Sequence, residues 1–469
     1  MPATVAERLR GLLPDHRVRR RFDRWLIVRL GIIAGAIFAA VMAVRAFGRP
    51  YVFFDLRIYH GAVVWWAGGG DLYQYVAPGM TIGFTYPPFA AILMRPMTTL
   101  SIEAAAQVNE IASYSALAFV LAVLLVPIAD RCGWPRWFAV GVALPLAAAT
   151  EPVRETIGYG QVNLLLFGLI IADLVALRRR HRTSITPSSG RTGLYRLWTE
   201  GSWAGVGIGL ATAIKLTPAL FIVYLLISKQ WRAATTAAGT ALAVTIGAFL
   251  VAGRESTTYF TSVMWDTGRV GVTDMTPNQS LAGLLARLYD SAETPGLLWL
   301  AFAMLMLVLG LSRAANAHAE GDELAAFTLV GLTANVISPI SWTHHLVFVL
   351  PAIIVLLDSA MRRRAASRGL RPARGGGGLA GWRHGCAALG LFALFVISPV
   401  WLYEHQYPEV SHYADGLFGA LAENSFAIAL IALVAALPWR PGADPAFYPE
   451  RRFGAQGQFT HSSVPSAKT

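Results

Sequence analysis

Residues 26–47 read LIVRLGIIAGAIFAAVMAVRAF, and this stretch indicates the class of fold. A helix needs about 20 predominantly apolar residues to cross the hydrocarbon core of a bilayer. Comparable apolar stretches follow at 109–129, 137–150, 161–177, 231–252, 295–313, 323–338, 344–360, 382–403 and 421–438. The sequence therefore predicts an all-α, polytopic membrane protein with about 10–12 transmembrane helices.

The composition excludes several other classes of protein. Of the 469 residues, 55% are hydrophobic and only 14% are charged, whereas a soluble domain carries about 25% charged residues. A soluble multidomain enzyme and a disordered scaffold are therefore ruled out. The net charge of +12 comes from short basic clusters between apolar stretches, without a nucleic-acid-binding module, so we expect no nucleic-acid partner.

The arginines predict how the chain is oriented in the membrane. Short cytoplasmic loops are enriched in Lys and Arg. Segments 1–25 and 361–385 carry seven arginines each, while 404–420 carries none. We therefore expect a basic cytoplasmic segment at 1–25, a transmembrane domain at 26–438 and a flexible cytoplasmic tail at 439–469. The extracytoplasmic polar segments are then 48–108, 151–160, 253–294, 338–344 and 404–420.

One apolar region, 201–228, is interrupted by three glycines, Lys215 and Pro218. Broken helices at membrane depth are tolerated only where they line a cavity or are buried in protein. We predict two short helices that enter and leave on the same side. A lysine at this depth is costly and indicates function, with a phosphate as an obvious partner, although it can also extend to the membrane surface.

The first extracytoplasmic segment begins with an acidic residue among aromatics, in Tyr51-Val-Phe-Phe-Asp-Leu-Arg-Ile-Tyr-His60. A partly desolvated carboxylate at Asp55 can act as a general base with a raised pKa. It can equally cap the helix that follows. The later segment Phe84-Thr-Tyr-Pro-Pro-Phe89 is, taken alone, a rigid helix entry.

Three further polar segments lie on the same predicted face. Residues 151–163 contain Arg154, Glu155, Gln161 and Asn163, which can either face a cavity or pair with one another at a helix start. Residues 276–280 read TPNQS and resemble a helix N-cap able to bind an anion. Residues 338–346 read SPISWTHHL, where a pair of histidines can bind phosphate or orient a carboxylate.

The order and spacing of these motifs resemble one group of enzymes. An extracytoplasmic Asp after helix one, FTYPP, TPNQS and SWTHH together resemble the GT-C superfamily branch of actinobacterial polyprenol-phosphate-mannose-dependent α-(1→2)-mannosyltransferases. The resemblance covers about residues 20–440, and within the branch it is strongest to enzymes that elongate phosphatidylinositol mannosides.

The resemblance implies a GT-C fold whose catalytic domain is 26–438, with an extracytoplasmic active site in a multi-pass protein of the cell membrane. It implies an inverting transfer of mannose from polyprenyl-phosphate-mannose to a glycolipid such as a phosphatidylinositol mannoside, without a cofactor or an obligatory metal. Asp55 would be the base, and His344 or His345 with Lys215 would bind the donor phosphate. Further phosphate-binding candidates are Arg57 and Asn278. Substrate-binding candidates are Tyr59, His60, Tyr86, Arg154, Gln161, Gln279 and Trp342.

Other functions remain open at this point. Many helices, one of them broken, and an intramembrane lysine also fit a lipid or sugar transporter or flippase, but no internal repeat supports this. A lipomannan or lipoarabinomannan branching enzyme, or a transferase for another polyprenyl-phosphate sugar, would keep the same fold and base. A structural membrane protein would leave the clustering of Asp and His on one face unexplained.

Overall fold

The computed structural model describes residues 16–79, 82–185, 193–288, 294–369, 381–406 and 416–444, and within these ranges it contains α-helices and no β-strand. The predicted all-α class is therefore confirmed. Most of the predicted loop 404–420 and of the tail after 444 lies outside the described residues. In chain order the helices are α1 (His16–Phe47), α2 (Phe54–Ala67), α3 (Pro88–Met94), α4 (Ile102–Cys132), α5 (Arg136–Ala148), α6 (Glu151–Tyr159), α7 (Asn163–Ile185), α8 (Gly193–Glu200), α9 (Val206–Ile214), α10 (Ala219–Ile227), α11 (Trp231–Val251), α12 (Gly253–Thr261), α13 (Leu281–Leu288), α14 (Gly296–Ala319), α15 (Glu323–Ile337), α16 (Val349–Gly369), α17 (Trp382–Ile397), α18 (Pro399–Gln406), α19 (Gly416–Glu423) and α20 (Ser425–Ala436).

Several of these helices are long and apolar enough to cross a membrane, so the protein is polytopic. Within the described ranges five pass this test, and two bent helix pairs, α6 with α7 and α19 with α20, raise the number to seven. Every apolar stretch predicted from the sequence overlaps a helix, although 382–403 and 421–438 are each divided between two helices. Some are shorter than a full span, such as α5 and α15, so the total of 10–12 stays a prediction.

The sharpest bend lies between α6 and α7, whose axes differ by 119°. Gly160 ends α6 in the left-handed conformation (φ +73°), and a Cβ at this position would collide with the side chain of Leu56. Glycine is thus required both for the turn and for the close approach of α2. The bend brings the residues after Gly160 against the start of α2.

Residues 201–228 form two short helices, α9 and α10, as the sequence predicts. Lys215 has extended backbone at the end of α9, and Pro218 precedes α10. The N-terminus of α9 is buried, and there Asp173 of α7 accepts a hydrogen bond from the backbone N–H of Ile208 at 2.7 Å. A carboxylate at a helix N-terminus satisfies a free N–H group and interacts favourably with the helix dipole. α9 is thereby fixed with Lys215 at its opposite end.

The buried apolar side chains form two clusters. The larger one joins α4, α7, α9, α10 and α14 to α17, and the smaller one joins α2, α3 and α12 with the segment between α2 and α3. Val162 and Ile214 pack against both clusters. The residues next to them, Gln161 and Lys215, therefore lie where the two clusters meet.

Residues 439–444, just beyond the predicted domain boundary at 438, pack against the bundle, and that boundary stays a prediction. Arg440 is buried and pairs with Asp322 at 2.6 Å and Asp358 at 2.9 Å. The backbone N–H groups of Gly442 and Asp444 donate to carbonyls at the end of α14. The hydropathy of this polar segment could not indicate that these buried charges pair with one another.

Candidate active site

Asp55 lies in the first turn of α2, and its carboxylate points to the seam between the two clusters. The helix is preceded by Phe53, which offers no side-chain cap, so the interpretation of Asp55 as the N-cap is wrong. Instead, Oδ2 of Asp55 accepts a hydrogen bond from Nε2 of Gln161 at 2.7 Å. Burial raises the pKa of Asp55 to about 6, against the opposing effects of the Gln161 hydrogen bond and the charge of Lys215.

Gln161 connects Asp55 to two tyrosines. Its Nε2 also donates to the hydroxyl of Tyr59 at 3.0 Å, and its Oε1 accepts from the hydroxyl of Tyr86 at 2.7 Å. The ring of Tyr86 in turn lies 5.6 Å from Nζ of Lys215. Asp55 and Lys215, more than a hundred residues apart in sequence, are thus joined through two side chains, those of Gln161 and Tyr86.

Lys215 forms the second half of the site with a histidine and an asparagine. Its Nζ lies 3.1 Å from Oδ1 of Asn163 and 2.9 Å from Nε2 of His345. Among the described residues no carboxylate lies within salt-bridge distance of Lys215. A half-buried cation with only neutral neighbours is a favourable place for an anion.

The two histidines occupy different positions. Nδ1 of His345 accepts from the backbone N–H of Trp342 at 3.2 Å, which assigns the ring proton of the neutral imidazole to Nε2. Nε2 and the ammonium of Lys215, 2.9 Å apart, are then both donors, so they do not bond to each other and can both donate to an anion. His344 lies behind it, with Nδ1 3.9 Å from Oε2 of Glu155. Burial and the charge of Lys215 hold the pKa of both histidines well below the ordinary value, so both rings are neutral near pH 7.

Glu155 supports the segment that carries both histidines. It accepts hydrogen bonds from Thr343 and, at 2.8 Å, from Nη2 of Arg49. Arg49 also lies over the ring of Trp401. Arg49 is not among the site residues predicted from the sequence, although it directly follows the first apolar stretch.

Two cavities open beside these residues. One, of about 50 Å³, is lined by Lys215, His345 and Asn163 at one end and by apolar side chains such as Phe221 and Phe348 beyond them. The other, of about 340 Å³, is predominantly apolar, and its lining includes Tyr59 and Gly160. The second cavity falls within the usual size range of ligand pockets, about 300–1,000 Å³, and its apolar lining suits an apolar chain.

The structure brings together only some of the predicted site residues. One connected group contains Asp55, Tyr59, Tyr86, Gln161, Lys215 and His345. Asn163 joins this group through Lys215, and His344 lies next to His345. Arg57 is exposed and donates to the carbonyl of Val52, and His60 contacts the carbonyl of Leu100. Trp342 contacts His345 through its backbone.

Three other predicted residues make several hydrogen bonds that hold loops and helices together. The side-chain amides of Asn278 and Gln279 bond to backbone groups of 273–276, 339–341, Glu423 and Ala427. Arg154 donates to Glu151 and to the carbonyls of Phe47, Ala149 and Val396. The side-chain N–H donors of Asn278 and Gln279 and the terminal N–H donors of Arg154 are thus used within the protein, whereas Nε of Arg154 has no partner. The expected contact of these three residues with substrate or phosphate stays a prediction.

The described residues contain no group of three or more His, Cys, Asp or Glu side chains arranged to hold a metal ion. The expected independence from metals and cofactors stays a prediction.

Comparison with known proteins gives consistent results. The profile of glycosyltransferase family 87 matches residues 84–339. A polyprenol-phosphate-mannose-dependent alpha-(1-2)-phosphatidylinositol mannoside mannosyltransferase of Mycobacterium tuberculosis is 30% identical over 383 residues, covering 78% of this chain and 79% of the relative. A phosphatidylinositol pentamannoside mannosyltransferase of the same type from Mycolicibacterium smegmatis is 31% identical, covering 82% and 84%. Among solved structures, ArnT from Cupriavidus metallidurans bound to undecaprenyl phosphate matches with a TM-score of 0.30 and 13% identity, covering 88% of this chain and 77% of ArnT.

Proposed function

The chain belongs to glycosyltransferase family 87, and from this membership we propose that it transfers mannose from polyprenyl-phosphate-mannose to a phosphatidylinositol mannoside, forming an α-(1→2) linkage. The names of its relatives, at about 30% identity over most of both chains, support the donor, the acceptor class and the linkage.

Asp55 is the general base in this proposal. Its Oδ2 is held by Gln161, while among the described residues no hydrogen bond reaches Oδ1 and this atom is not sealed from the surface. A base must be within hydrogen-bond reach of the proton it removes, and its pKa works best near the operating pH. The free oxygen and a pKa of about 6 support this role.

Lys215 and His345 bind the donor phosphate. The ammonium group supplies a positive charge, and the N–H of the neutral imidazole supplies a hydrogen bond next to it. Charge-assisted hydrogen bonds of this kind are roughly twice as strong as neutral ones. They become stronger as negative charge grows on the leaving phosphate, which is the condition for stabilising a transition state.

The reaction is then a single displacement. An acceptor hydroxyl oxygen attacks C1 of the mannosyl group and gives its proton to Asp55, while the bond between C1 and the phosphate oxygen breaks. The electron pair of that bond leaves with polyprenyl phosphate, next to Lys215 and His345. Attack opposite the leaving group converts a β-mannosyl phosphate into an α-mannoside. The reaction needs no cofactor and no obligatory metal, so treatment with a chelator should leave the rate unchanged.

The observation that carries the proposal is the connection of Asp55 to Lys215 through Gln161 and Tyr86, because it places a proton acceptor and a phosphate site around one space. Holding the reactants and catalytic groups in the right geometry lowers the activation barrier by several kcal/mol. We further propose that this space faces the extracytoplasmic side of the cell membrane, as the distribution of arginines supports.

The direct test is Asp55→Asn in protein reconstituted into lipid and supplied with radiolabelled polyprenyl-phosphate-mannose and phosphatidylinositol mannosides. The amide cannot take a proton, so we expect transfer to fall by about 10²–10⁴-fold, with normal folding. The matched control is Asp71→Asn, because Asp71 is also an acidic residue near the start of a short helix, where it caps the N–H of Tyr73 and pairs with Arg254. Asp71→Asn should keep its transfer rate, and an Asp55→Asn variant with at least half the wild-type rate would remove Asp55 from the mechanism.

A further inference from the structure

Gln161 is held rigidly at the point where α6 and α7 meet. It is 3% exposed, and its backbone N–H donates to the carbonyl of Thr156 at 2.8 Å, in the turn that Gly160 makes possible. Its side chain therefore starts from a fixed backbone and has no freedom to follow a substrate.

The hydrogen bonds of Gln161 leave its amide only one orientation. The NH₂ group must face the carboxylate of Asp55, and its second hydrogen goes to the hydroxyl of Tyr59. The amide oxygen accepts from Tyr86, which is itself held through its carbonyl by the hydroxyl of Tyr73 at 2.9 Å. An amide group has two donor hydrogens, and both are used within the protein. Both donor hydrogens of Gln161 are therefore directed to Asp55 and Tyr59 rather than to a substrate.

We propose that Gln161 is a positioning residue for the base: by holding Oδ2 of Asp55, with Tyr59 and Tyr86 fixing its own amide, it directs Oδ1 towards the acceptor hydroxyl. This inference rests on the proposed function of Asp55 as the base. A catalytic side chain needs a supporting residue that holds it in place, because a small displacement of the reacting atom lowers the reaction rate. The other ionisable groups facing Asp55 are Lys215, Tyr59 and Tyr86.

The test is the pH profile of kcat/KM for Gln161→Leu and Gln161→Glu in reconstituted protein. The Gln161 hydrogen bond stabilises the ionised form of Asp55, so its loss should move the acid limb to higher pH by roughly one unit. We expect kcat to fall about 10–100-fold, with KM for the donor nearly unchanged because the Lys215 site is intact. Gln161→Glu keeps an acceptor for Tyr86 but places a second carboxylate beside Asp55, which should move the limb in the same direction.

Gln230→Leu is the matched control. Its Nε2 donates to a buried carboxylate, Glu323, at 2.8 Å, as Gln161 does to Asp55, but outside the site. It should lower the thermal midpoint while leaving kcat per folded molecule and the acid limb at their wild-type values. A purely structural role for Gln161 predicts the same pattern for Gln161→Leu.

The outcomes separate the two proposals. If Asp55→Asn is inactive but both Gln161 variants keep the wild-type kcat and acid limb, Gln161 is not a positioning residue, while Asp55 remains the base. If Asp55→Asn is active, the base assignment itself fails. If Gln161→Leu does not fold, Gln161→Glu decides, because a wild-type limb in that variant contradicts the proposal.

Discussion

The backbone of Val52 and Phe53, the two residues before Phe54, determines where the side chain of Asp55 points. Val52 (φ +47°) and Phe53 (φ +52°) both have left-handed backbone, which is uncommon for residues other than glycine and a true outlier for a β-branched one. The turn is held by the Phe53 N–H, which donates to the carbonyl of Gly158 at 3.0 Å, and by Arg57 Nε, which donates to Val52. Such strain persists where surrounding contacts enforce it, often next to reacting groups. Here it starts α2 so that Asp55 faces inward.

The raised pKa of Asp55 makes a prediction for pH dependence. A base acts in its ionised form, and burial raises the pKa of Asp55 to about 6, so kcat/KM should decline as the pH falls through about 6. The mannosyl donor is a phosphodiester and does not titrate in this range. Initial rates in lipid nanodiscs between pH 5 and 8 measure the limb, and a profile flat down to pH 5 would contradict the assignment.

The two histidines should respond differently to removal. His345→Ala takes away the N–H beside Lys215, so we expect at least a tenfold loss of rate, about 1.4 kcal/mol of barrier. His344→Ala leaves a gap against Tyr159 and next to Glu155, so it should mainly lower the thermal midpoint. Transfer rates normalised to folded protein decide between them, and near-wild-type turnover of His345→Ala would exclude it from phosphate binding.

At this scale the sequence supported only part of the site. Asp55, Lys215 and the histidine pair could be predicted because an acid, a cation and two imidazoles are unusual near apolar helices. Asn278, Gln279 and Arg154 looked similar but use their donors on backbone carbonyls, many of them distant in sequence. A sequence does not show which carbonyls lack partners, so it cannot separate polar residues that hold the fold from those that face a ligand.

Among the helices, hydropathy located the spans but not the turns between them. The polar segment after α5 was predicted to be a loop, yet residues 151–159 form the buried helix α6. Its charged side chains are tolerated because Arg154 pairs with Glu151, and Arg49 with Glu155. The 119° bend after α6 depends on Gly160, and the pattern of apolar residues does not predict it.

Close contact between α14 and α15 depends on Gly310. A Cβ at this position would collide with the side chain of Thr333, whose hydroxyl is already bonded to the carbonyl of Leu329. Small residues allow membrane helices to approach, so Gly310→Ala should destabilise the protein by about 1–3 kcal/mol.

Gly247→Ala is the control for this substitution, because nothing lies within 4 Å of the added Cβ on the long helix α11. It should leave stability unchanged or raise it slightly, since alanine favours helix. Thermal unfolding in the same detergent compares the two variants, and equal midpoints would show that α14 and α15 adjust freely.

For the molecule as a whole, the site lies where two apolar clusters meet, and its orientation in the membrane decides which substrates reach it. We expect the Glu103→Cys variant to react with an impermeant maleimide added outside cells. The Ala366→Cys variant should react only after the cells are permeabilised. Both positions are exposed, on either side of the predicted arginine asymmetry. The background should carry Cys132→Ser and Cys386→Ser, because both native thiols are free. The reverse labelling pattern would place the site in the cytoplasm.

The ion cluster around Arg440 has a consequence for how the protein is made. Asp322 is fully buried and forms an ion pair with Arg440. Asp358 also pairs with Arg440, and in addition with Arg131 and Arg362, which precede Arg440 in the sequence. During synthesis Asp322 leaves the ribosome 118 residues before Arg440, so its carboxylate lacks this partner until residue 440 has followed. We therefore expect this end of the bundle to close late in folding, and a chain truncated before residue 440 to be degraded faster than the full chain.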